Sequence, residues 1–590
     1  MMNIADRKMT AQADAQNWLD TFAAALQSND AVAAAALFLD DGLWRDLLAF
    51  TWTLRTMAGR TAIETALRET LARTKPTNFH FPAKRTPPRW VSRAGTDCIE
   101  AIFEFKTTFG PGHGVLRLVP AEDEPSRLRA WTINTNLQEL RGHEELFKRR
   151  RPDADAGIRD FGAANWLDRL NKQRAFADRD PVVLVVGGGQ AGLSIAARLH
   201  QLGVGTLIVD RHGRVGDNWR TRYHSLTLHN EMHVNHLPYL PFPPTFPTYI
   251  PKDKLANWFE AYVESLELNF WTDTALAAGS YDQRRQQWDV VLRHGDGRER
   301  TMRPRHLIFA TGVSSIPVTP KLPGLDDFAG TKVHSGDFKN ATDWKGRKAL
   351  VLGTGTSGHD VAQELHAHGA HVTMIQRSST YVVSLKEAQS VYAIYSEGIP
   401  FDDCDLLATA FPYPVLQRAY QLSTAKGRIV DRKLLSALAA RGFRLHFGED
   451  ETGFQMMYLR RGGGYYFNVG CSELIISGEV GLMQYADIDS FGVQGALMRD
   501  GSIVPAELLV LATGYKNQQD TARAYLGDAI ADKIGPVWGF NEGGELRNMW
   551  TRTAQPGLWF TAGSLAQCRI FSRYLAIQIK ALEEGLIDKS

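Results

Sequence analysis

The residues best suited to do chemistry in this chain are two glycine runs. Gly187-Gly188-Gly189-Gln190-Ala191-Gly192 follows the apolar stretch Val182–Val186, and Gly353-Thr354-Gly355-Thr356-Ser357-Gly358 follows Ala349–Leu352. A GxGxxG run between a strand and a helix lets the backbone approach a pyrophosphate closely and aims the helix N-terminal amides at its charge. One dinucleotide is therefore expected on Gly187, Gly189, Gln190, Ala191 and Gly192, and a second on Gly353, Gly355, Thr356, Ser357 and Gly358. Two such sites suit one nucleotide as resident cofactor and another as reductant, the build of a flavoenzyme fed by a nicotinamide. No GxSxG elbow, HExxH pair or clustered Cys/His spacing accompanies them, so the hard step falls to a cofactor and no metal is expected.

The residues after the next strands differ between the two runs. Asp210, with Arg211 beside it, ends Thr206–Val209 and lies 18 positions beyond Gly192 (210 minus 192), where an acid meets an adenosine ribose. After Val372–Gln376 the corresponding place holds Arg377-Ser378-Ser379. A guanidinium and hydroxyls can hold a 2′-phosphate that an acid would repel, so the second site should accept NADPH, with NADH left open. A plain surface arginine is the alternative.

These motifs need a large scaffold, and 590 residues with 44% hydrophobic side chains suffice for about three to four domains. The balance of 67 Lys+Arg against 65 Asp+Glu gives +2, a field too weak to recruit nucleic acid or an anionic membrane. Lys148-Arg149-Arg150-Arg151 is the one compact basic run and reads as a solvated linker. Four scattered cysteines without a CxxC argue against a disulfide scaffold and a redox dithiol, and suggest a reduced cytoplasm. The polar first residues do not read as a secretory signal, and no apolar run approaches a membrane span.

From about 11 to 145 the pattern changes. Trp18, Leu19, Phe22 and Leu26 form a helical stripe; Ile99, Ala101, Phe103 and Phe105 alternate with polar partners; Val115–Leu118 and Trp131, Ile133 and Thr135 read as further strands. This small α+β unit resembles the cone of nuclear transport factor 2 and SnoaL. A charged linker from Phe147 to about Ile158 leads to a helix near Trp166–Phe176.

A more specific resemblance lies between the glycine runs. Phe328-Ala-Gly330-Thr-Lys-Val-His334-Ser-Gly-Asp-Phe338-Lys339 matches FxGxxxHxxx(F/Y)K, the fingerprint of flavin-containing monooxygenases. Ala310-Thr311-Gly312 and Ala512-Thr513-Gly514 resemble the paired links between FAD and NADP domains of class B flavoprotein monooxygenases, and the added first domain resembles their N-terminally extended type II members. The implied fold is α/β, with two Rossmann-like domains, the NADP domain inserted in the FAD domain, behind an NTF2/SnoaL-like domain. The implied spans are 11–147 for the first unit, 160–335 and 506–590 for the FAD domain, and 336–505 for the NADP domain. The resemblance adds Asp217, Trp219 and Arg220 of a GDxW-like segment, His334 and Lys339 of the linker, Ala512, Thr513, Gly514, and Gly563 and Leu565 before the last helix as cofactor-binding residues.

It also implies the reaction: NADPH reduces FAD, and a C4a-(hydro)peroxyflavin passes one oxygen atom from O2 to a small organic molecule. Counting back from Pro238, Pro241 and Phe242 puts His229 where heteroatom-oxidising relatives carry Asn, with Asn230 one step away. These two are the candidate catalytic residues, since a histidine there could donate a hydrogen bond or take a proton near neutral pH. A loop histidine without a role is the alternative, because His224, His233 and His236 crowd the same region. Phe338-Lys339 stands where the ordinary Baeyer–Villiger fingerprint has Trp-Pro. The expected activity is nonetheless Baeyer–Villiger oxidation of ketones or sulfoxidation, ahead of a plant-like decarboxylation of 2-oxo acids or an NADPH oxidase releasing peroxide. A homodimer is expected.

Overall fold

Residues 4–124, 126–147 and 161–588 are described by this computed structural model; the expected basic run and the rest of the linker beyond Phe147 lie outside them. Every long apolar run expected as a buried strand is one. Val183–Val186 and Lys348–Leu352 are each the middle strand of a parallel sheet, because side chains apolar on both faces demand cover on both faces. The first sheet orders its strands Phe270–Trp271, Thr206–Val209, Val183–Val186, His306–Phe309, Leu558–Phe560. The second orders them Thr331–His334, Leu508–Leu511, Lys348–Leu352, His371–Gln376, Gly481–Gln484. An antiparallel three-stranded sheet accompanies each, Thr274–Met302 for the first and Ile488–Pro505 for the second.

This pairing corrects the expected span 336–505. Thr331–His334 and Leu508–Leu511 both belong to the second sheet, so that unit extends past both limits. The chain crosses between the units twice, and the crossings run side by side: Pro317 bridges Tyr515, and Val318 and Gly514 bond through their backbones at 3.0 Å.

The N-terminal unit holds the helix Ile4–Gln27, which buries Ala11, Ala15, Trp18, Leu19, Phe22 and Leu26 at helical spacing. Seven strands follow: β1 (Phe38–Leu47), β2 (Leu54–Ala58), β3 (Thr77–His80), β4 (Arg89–Arg93), β5 (Thr96–Lys106), β6 (Pro111–Pro120) and β7 (Leu128–Leu137). They pair in the order β2-β1-β7-β6-β5-β3, with β4 also on β5. The alternation expected in β5 does not hold, since Cys98, Glu100 and Ile102 are buried as fully as Ile99, Ala101 and Phe103. Its second face is covered by Leu406, Leu407 and Ala410 of a helix from the second unit, which pack on Ile102 and Val115.

The last helix, Leu565–Glu583, joins the units. Leu575, Ala576 and Ile579 enter the core of the first parallel sheet, whereas Tyr574, Ile577 and Ala581 complete the core of the N-terminal unit. Burying a side chain such as Ile577 stabilises by about 2 kcal/mol, so the N-terminal unit is integral to the body. No helix among the described residues is long and apolar enough to cross a membrane.

Candidate active site

The two glycine runs fold into near copies. Gly189 and Gly355 are N-caps of the helices Gln190–Gln201 and Thr356–Ala367, with φ/ψ of −80/−172 and −81/−176. Gly187 and Gly353 lie at φ 110 and 118, where a Cβ would sit 2.6 Å from the Ala310 oxygen and 2.3 Å from the Ala512 oxygen. Each Ala-Thr-Gly run therefore presses on the first glycine of its own fingerprint. A Cβ on Gly192 or Gly358 would meet the Gly187 or Gly353 oxygen at 2.0 and 2.2 Å, which keeps each helix tight against its turn. Ala191 is buried behind the first turn, Thr356 Oγ1 donates to the Tyr465 oxygen at 3.1 Å, and Ser357 follows it on the helix.

Asp210 stands at the end of its strand and accepts from the Gly188 amide at 2.6 Å and the His212 amide at 2.9 Å. Burial works against its ionisation, but the His212 ring bonded to it at 2.7 Å together with these amides holds its carboxyl below the usual range. Arg211 is exposed beside it, and Arg377 and Ser378 are exposed after His371–Gln376. Asp217 and Arg220 pair with each other at 2.9 Å and Arg220 also reaches Glu260, so both side chains are engaged within the protein. Asn218, passed over in the sequence, points its amide at Gly189, 2.9 Å from where a Cβ would be.

Trp219 Nε1, Thr311 Oγ1 and Gln518 Oε1 are buried without a protein partner, and Gln518 is tied to this turn by its bond to the Gly312 oxygen at 2.9 Å. Such orphaned groups beside an amide-rich turn fit a polar ligand such as FAD. Gln190 Nε2 donates to the Gly563 oxygen at 3.1 Å, joining the first fingerprint to the N-terminus of the last helix. There Ser564 and Gln567 form a capping box and Leu565 is buried.

His334 accepts from the Gly336 amide at Nδ1, so its proton is on Nε2, which donates to the Gly514 oxygen at 3.1 Å. Thr513 Oγ1 donates to the Val318 oxygen at 2.5 Å and Lys339 Nζ to the Thr221 oxygen at 2.5 Å. The first two tie the chain crossings together, and the third ties the second unit to the loop after Asp217–Arg220. Gly462 caps the helix Gly453–Arg461, so that glycine cluster is a helix end.

His229 and Asn230 are half-buried between the two units. The His229 ring meets Phe467 edge-on at 5.3 Å, and burial holds its pKa below 6.5 against the pull of Asp360 on the second fingerprint helix. Asp360 in turn accepts from Tyr223 at 2.5 Å. Asn230 Nδ2 donates to Tyr392 at 3.0 Å, and Tyr392 lines a cavity of about 360 Å³. That cavity is walled by Tyr392, Tyr395, Phe411, Tyr420, Phe540 and Phe571, includes Ser564 and Gln567 from the start of the last helix, and takes Arg45 and Arg93 from the N-terminal unit. Neither His229 nor Asn230 lines it directly. The neighbouring histidines point apart: His233 pairs with Glu231 at 3.4 Å and His236 accepts from the Phe242 amide at 2.9 Å. Among the described residues no group of three or more possible metal ligands forms.

Beneath the second fingerprint His359 is fully buried, stacked on Tyr466 at 3.8 Å, its Nδ1 donating to the Gly355 oxygen. Burial pushes its pKa down to about 4. The unfolded chain binds this proton near pH 6.5 and the folded one does not, so stability is expected to fall as pH drops from about 6.5 to 4, by up to about 3 kcal/mol. Burial pushes His113 and His236 down as well, to about 3 and about 4, so they add to the same slope. Denaturant unfolding at pH 7.5 and pH 5 should show a smaller acid loss in His359→Phe; an identical loss in both proteins would refute the assignment.

Comparison with known proteins agrees with this geometry. Residues 184–395 match the family model described as pyridine nucleotide-disulphide oxidoreductase. Indole-3-pyruvate monooxygenase YUCCA1 of Oryza sativa subsp. japonica is 30% identical over 341 residues, covering 57% of this chain and 77% of that protein. Probable indole-3-pyruvate monooxygenase YUCCA3 of Arabidopsis thaliana is 27% identical over 339 residues, 57% of this chain and 73% of that protein. An open crystal structure of cyclohexanone monooxygenase shares the fold, with a TM-score of 0.50 and 17% identity over 69% of this chain and 88% of that one.

Two parallel sheets, each carrying a glycine fingerprint, define an enzyme that works with two dinucleotides. The chain belongs to the class B flavoprotein monooxygenases, and its cofactors are FAD and NADPH. The four cysteines are buried and unpaired, and burial raises Cys98 to about 12 and Cys404 to about 11.

Proposed function

We propose that this monooxygenase oxygenates neutral, apolar carbonyl compounds and sulfides in the aromatic cavity, with Baeyer–Villiger oxidation of ketones as its main reaction. One observation favours this over decarboxylation of a 2-oxo acid, the activity suggested by the names of the plant relatives. The cations lining the cavity, Arg45 and Arg93, are already engaged: Arg45 with Glu545 at 2.6 Å, and Arg93 with Glu100 at 2.7 Å and Glu397 at 2.5 Å. A substrate carboxylate entering there would lose its hydration without gaining a free cation, a cost of several kcal/mol.

In this reading the first fingerprint with Asp210 holds FAD, and the second with Arg377 and Ser378 holds NADPH. FAD supplies hydride acceptance and the activation of O2. The protein's own part is positioning and exclusion of water. The packed glycine turns fix the two pyrophosphates, His334 and Lys339 hold the crossings, and the aromatic walls keep water from the reacting atoms. His229, neutral near pH 7, is placed to hold or accept a proton at its ring nitrogen between the units, and Asn230 orients Tyr392 at the cavity wall. Of the expected domain spans, 160–335 and 506–590 serve FAD and the 336–505 region serves NADPH, with the wider limits noted above. The N-terminal unit is read as NTF2/SnoaL-like, and the working form as a cytoplasmic homodimer.

Supplying cyclobutanone, a thioether and an aryl 2-oxo acid in parallel, while measuring NADPH, peroxide and products, tests the proposal. Lactone and sulfoxide are expected. Preferential release of carbon dioxide from the 2-oxo acid would defeat it, and peroxide equal to NADPH with no product would indicate an oxidase. His229→Ala should raise the peroxide released per NADPH several-fold in the presence of ketone, as loss of one positioned proton-handling group does. Unchanged coupling would return His229 to the loop.

A further inference from the structure

The N-terminal unit meets the cavity through one hairpin. Ser92, Arg93 and Ala94, at the turn from β4 to β5, line it, and Ser92 is exposed, so the turn stands at the outer opening. Gly95 at its tip lies so near the helix Tyr413–Val430 that an added Cβ would be 3.0 Å from Leu422 Cδ1. The hairpin is also clamped to the segment Gln389–Ser396. Arg89 Nη2 reaches Glu397 Oε2 at 2.6 Å and Arg93 Nη1 reaches Glu397 Oε1 at 2.5 Å, just past the end of that segment.

The other end of Gln389–Ser396 touches the candidate catalytic pair. Gln389 Nε2 donates to the His229 oxygen at 2.9 Å, and Tyr392 accepts from Asn230. Between these ends the segment is 3-10 helix broken at Tyr392, which lies at φ −104 and ψ 16. A kinked stretch of this kind takes its position from what holds its ends. Glu397 has a rigid counterpart: Arg89 and Arg93 also bind Glu100, whose side chain is 1% exposed and which Arg117 binds from the other side at 3.0 Å.

We propose that the β4–β5 hairpin of the N-terminal unit is the outer wall of the substrate chamber and selects substrates by size, with Glu397 transmitting its position to Gln389–Ser396. The inference rests on reading the aromatic cavity as the oxygenation chamber. The holoenzyme is assayed with cyclobutanone and with the bulkier 2-phenylcyclohexanone. Ser92→Phe, which directs a ring into the opening, should lower kcat/KM for the bulky ketone at least about tenfold relative to the small one, the scale on which apolar pockets discriminate shape. Glu397→Gln removes one charge from the clamp while Glu100 still holds both arginines. It should raise KM for the bulky ketone with kcat little changed, and increase peroxide released per NADPH.

If the unsubstituted protein reduces its flavin with NADPH and oxygenates cyclobutanone, but the bulky-to-small ratio moves in neither variant, the wall is refuted and the chamber stands. A loss of thermal stability with an unchanged ratio also refutes it, since that is a structural role alone. Failure of the unsubstituted protein to oxygenate either ketone overturns the chamber and the wall together.

Discussion

Gly192→Ala is expected to give a protein that binds no FAD, whereas Gly358→Ala keeps its flavin and loses reduction by NADPH. The cause in both is steric. The new methyl would lie 2.0 Å from the Gly187 oxygen in one variant and 2.2 Å from the Gly353 oxygen in the other, backbone atoms that cannot turn aside. Relief requires the helix start to withdraw by about 1 Å, a displacement that can cost about a hundredfold in a positioned site. The helix amides then no longer converge on the pyrophosphate. Flavin absorbance after reconstitution reads the first variant, and anaerobic bleaching by NADPH reads the second. Flavin retained in Gly192→Ala but lost from Gly358→Ala would reverse the assignment of the two sites.

Arg377→Ala should weaken NADPH about ten- to hundredfold and leave NADH nearly unchanged, the worth of a charged hydrogen bond to a phosphate. The backbone that presents Arg377 is firmly held. Gln376, fully buried, accepts from the Arg444 amide at 2.8 Å, and Arg444 Nη2 donates to the Arg377 oxygen at 2.7 Å. Arg444 thus brings a second guanidinium to the same strand end, and Arg377→Ala with Arg444→Ala should remove what preference the single change leaves. Comparing kcat/KM for the two nucleotides checks this; equal losses with both would show that Arg377 does not read the 2′-phosphate.

Much of the dinucleotide architecture was legible because it is local. Val182–Val186 was expected as a strand and Val183–Val186 is one, and Asp210 and Arg377 stand at the strand ends where counting put them. A glycine turn, the strand before it and the helix after it are set by backbone sterics among neighbours in the chain. Where the expectation slipped, distant partners were responsible. The second sheet borrows Thr331–His334 from before its expected limit and Leu508–Leu511 from after it. The outer face of β5 is buried by a helix some 300 positions later.

The amino-acid order alone therefore determined that two glycine turns head two helices, each with its own residue type at the next strand end, Asp210 in one and Arg377 in the other, since the type of residue at a fixed offset from a glycine turn is a matter of short-range geometry. The cavity was decided only by the tertiary structure. Its walls join Arg93 of the N-terminal unit, Tyr392 of the second unit and Gln567 of the last helix, residues far apart in the chain with no shared spacing. Whether Arg45 and Arg93 are free to meet a substrate carboxylate depends on Glu545, Glu100 and Glu397 reaching them in space, and no pattern in the chain announces an ion pair across 500 positions.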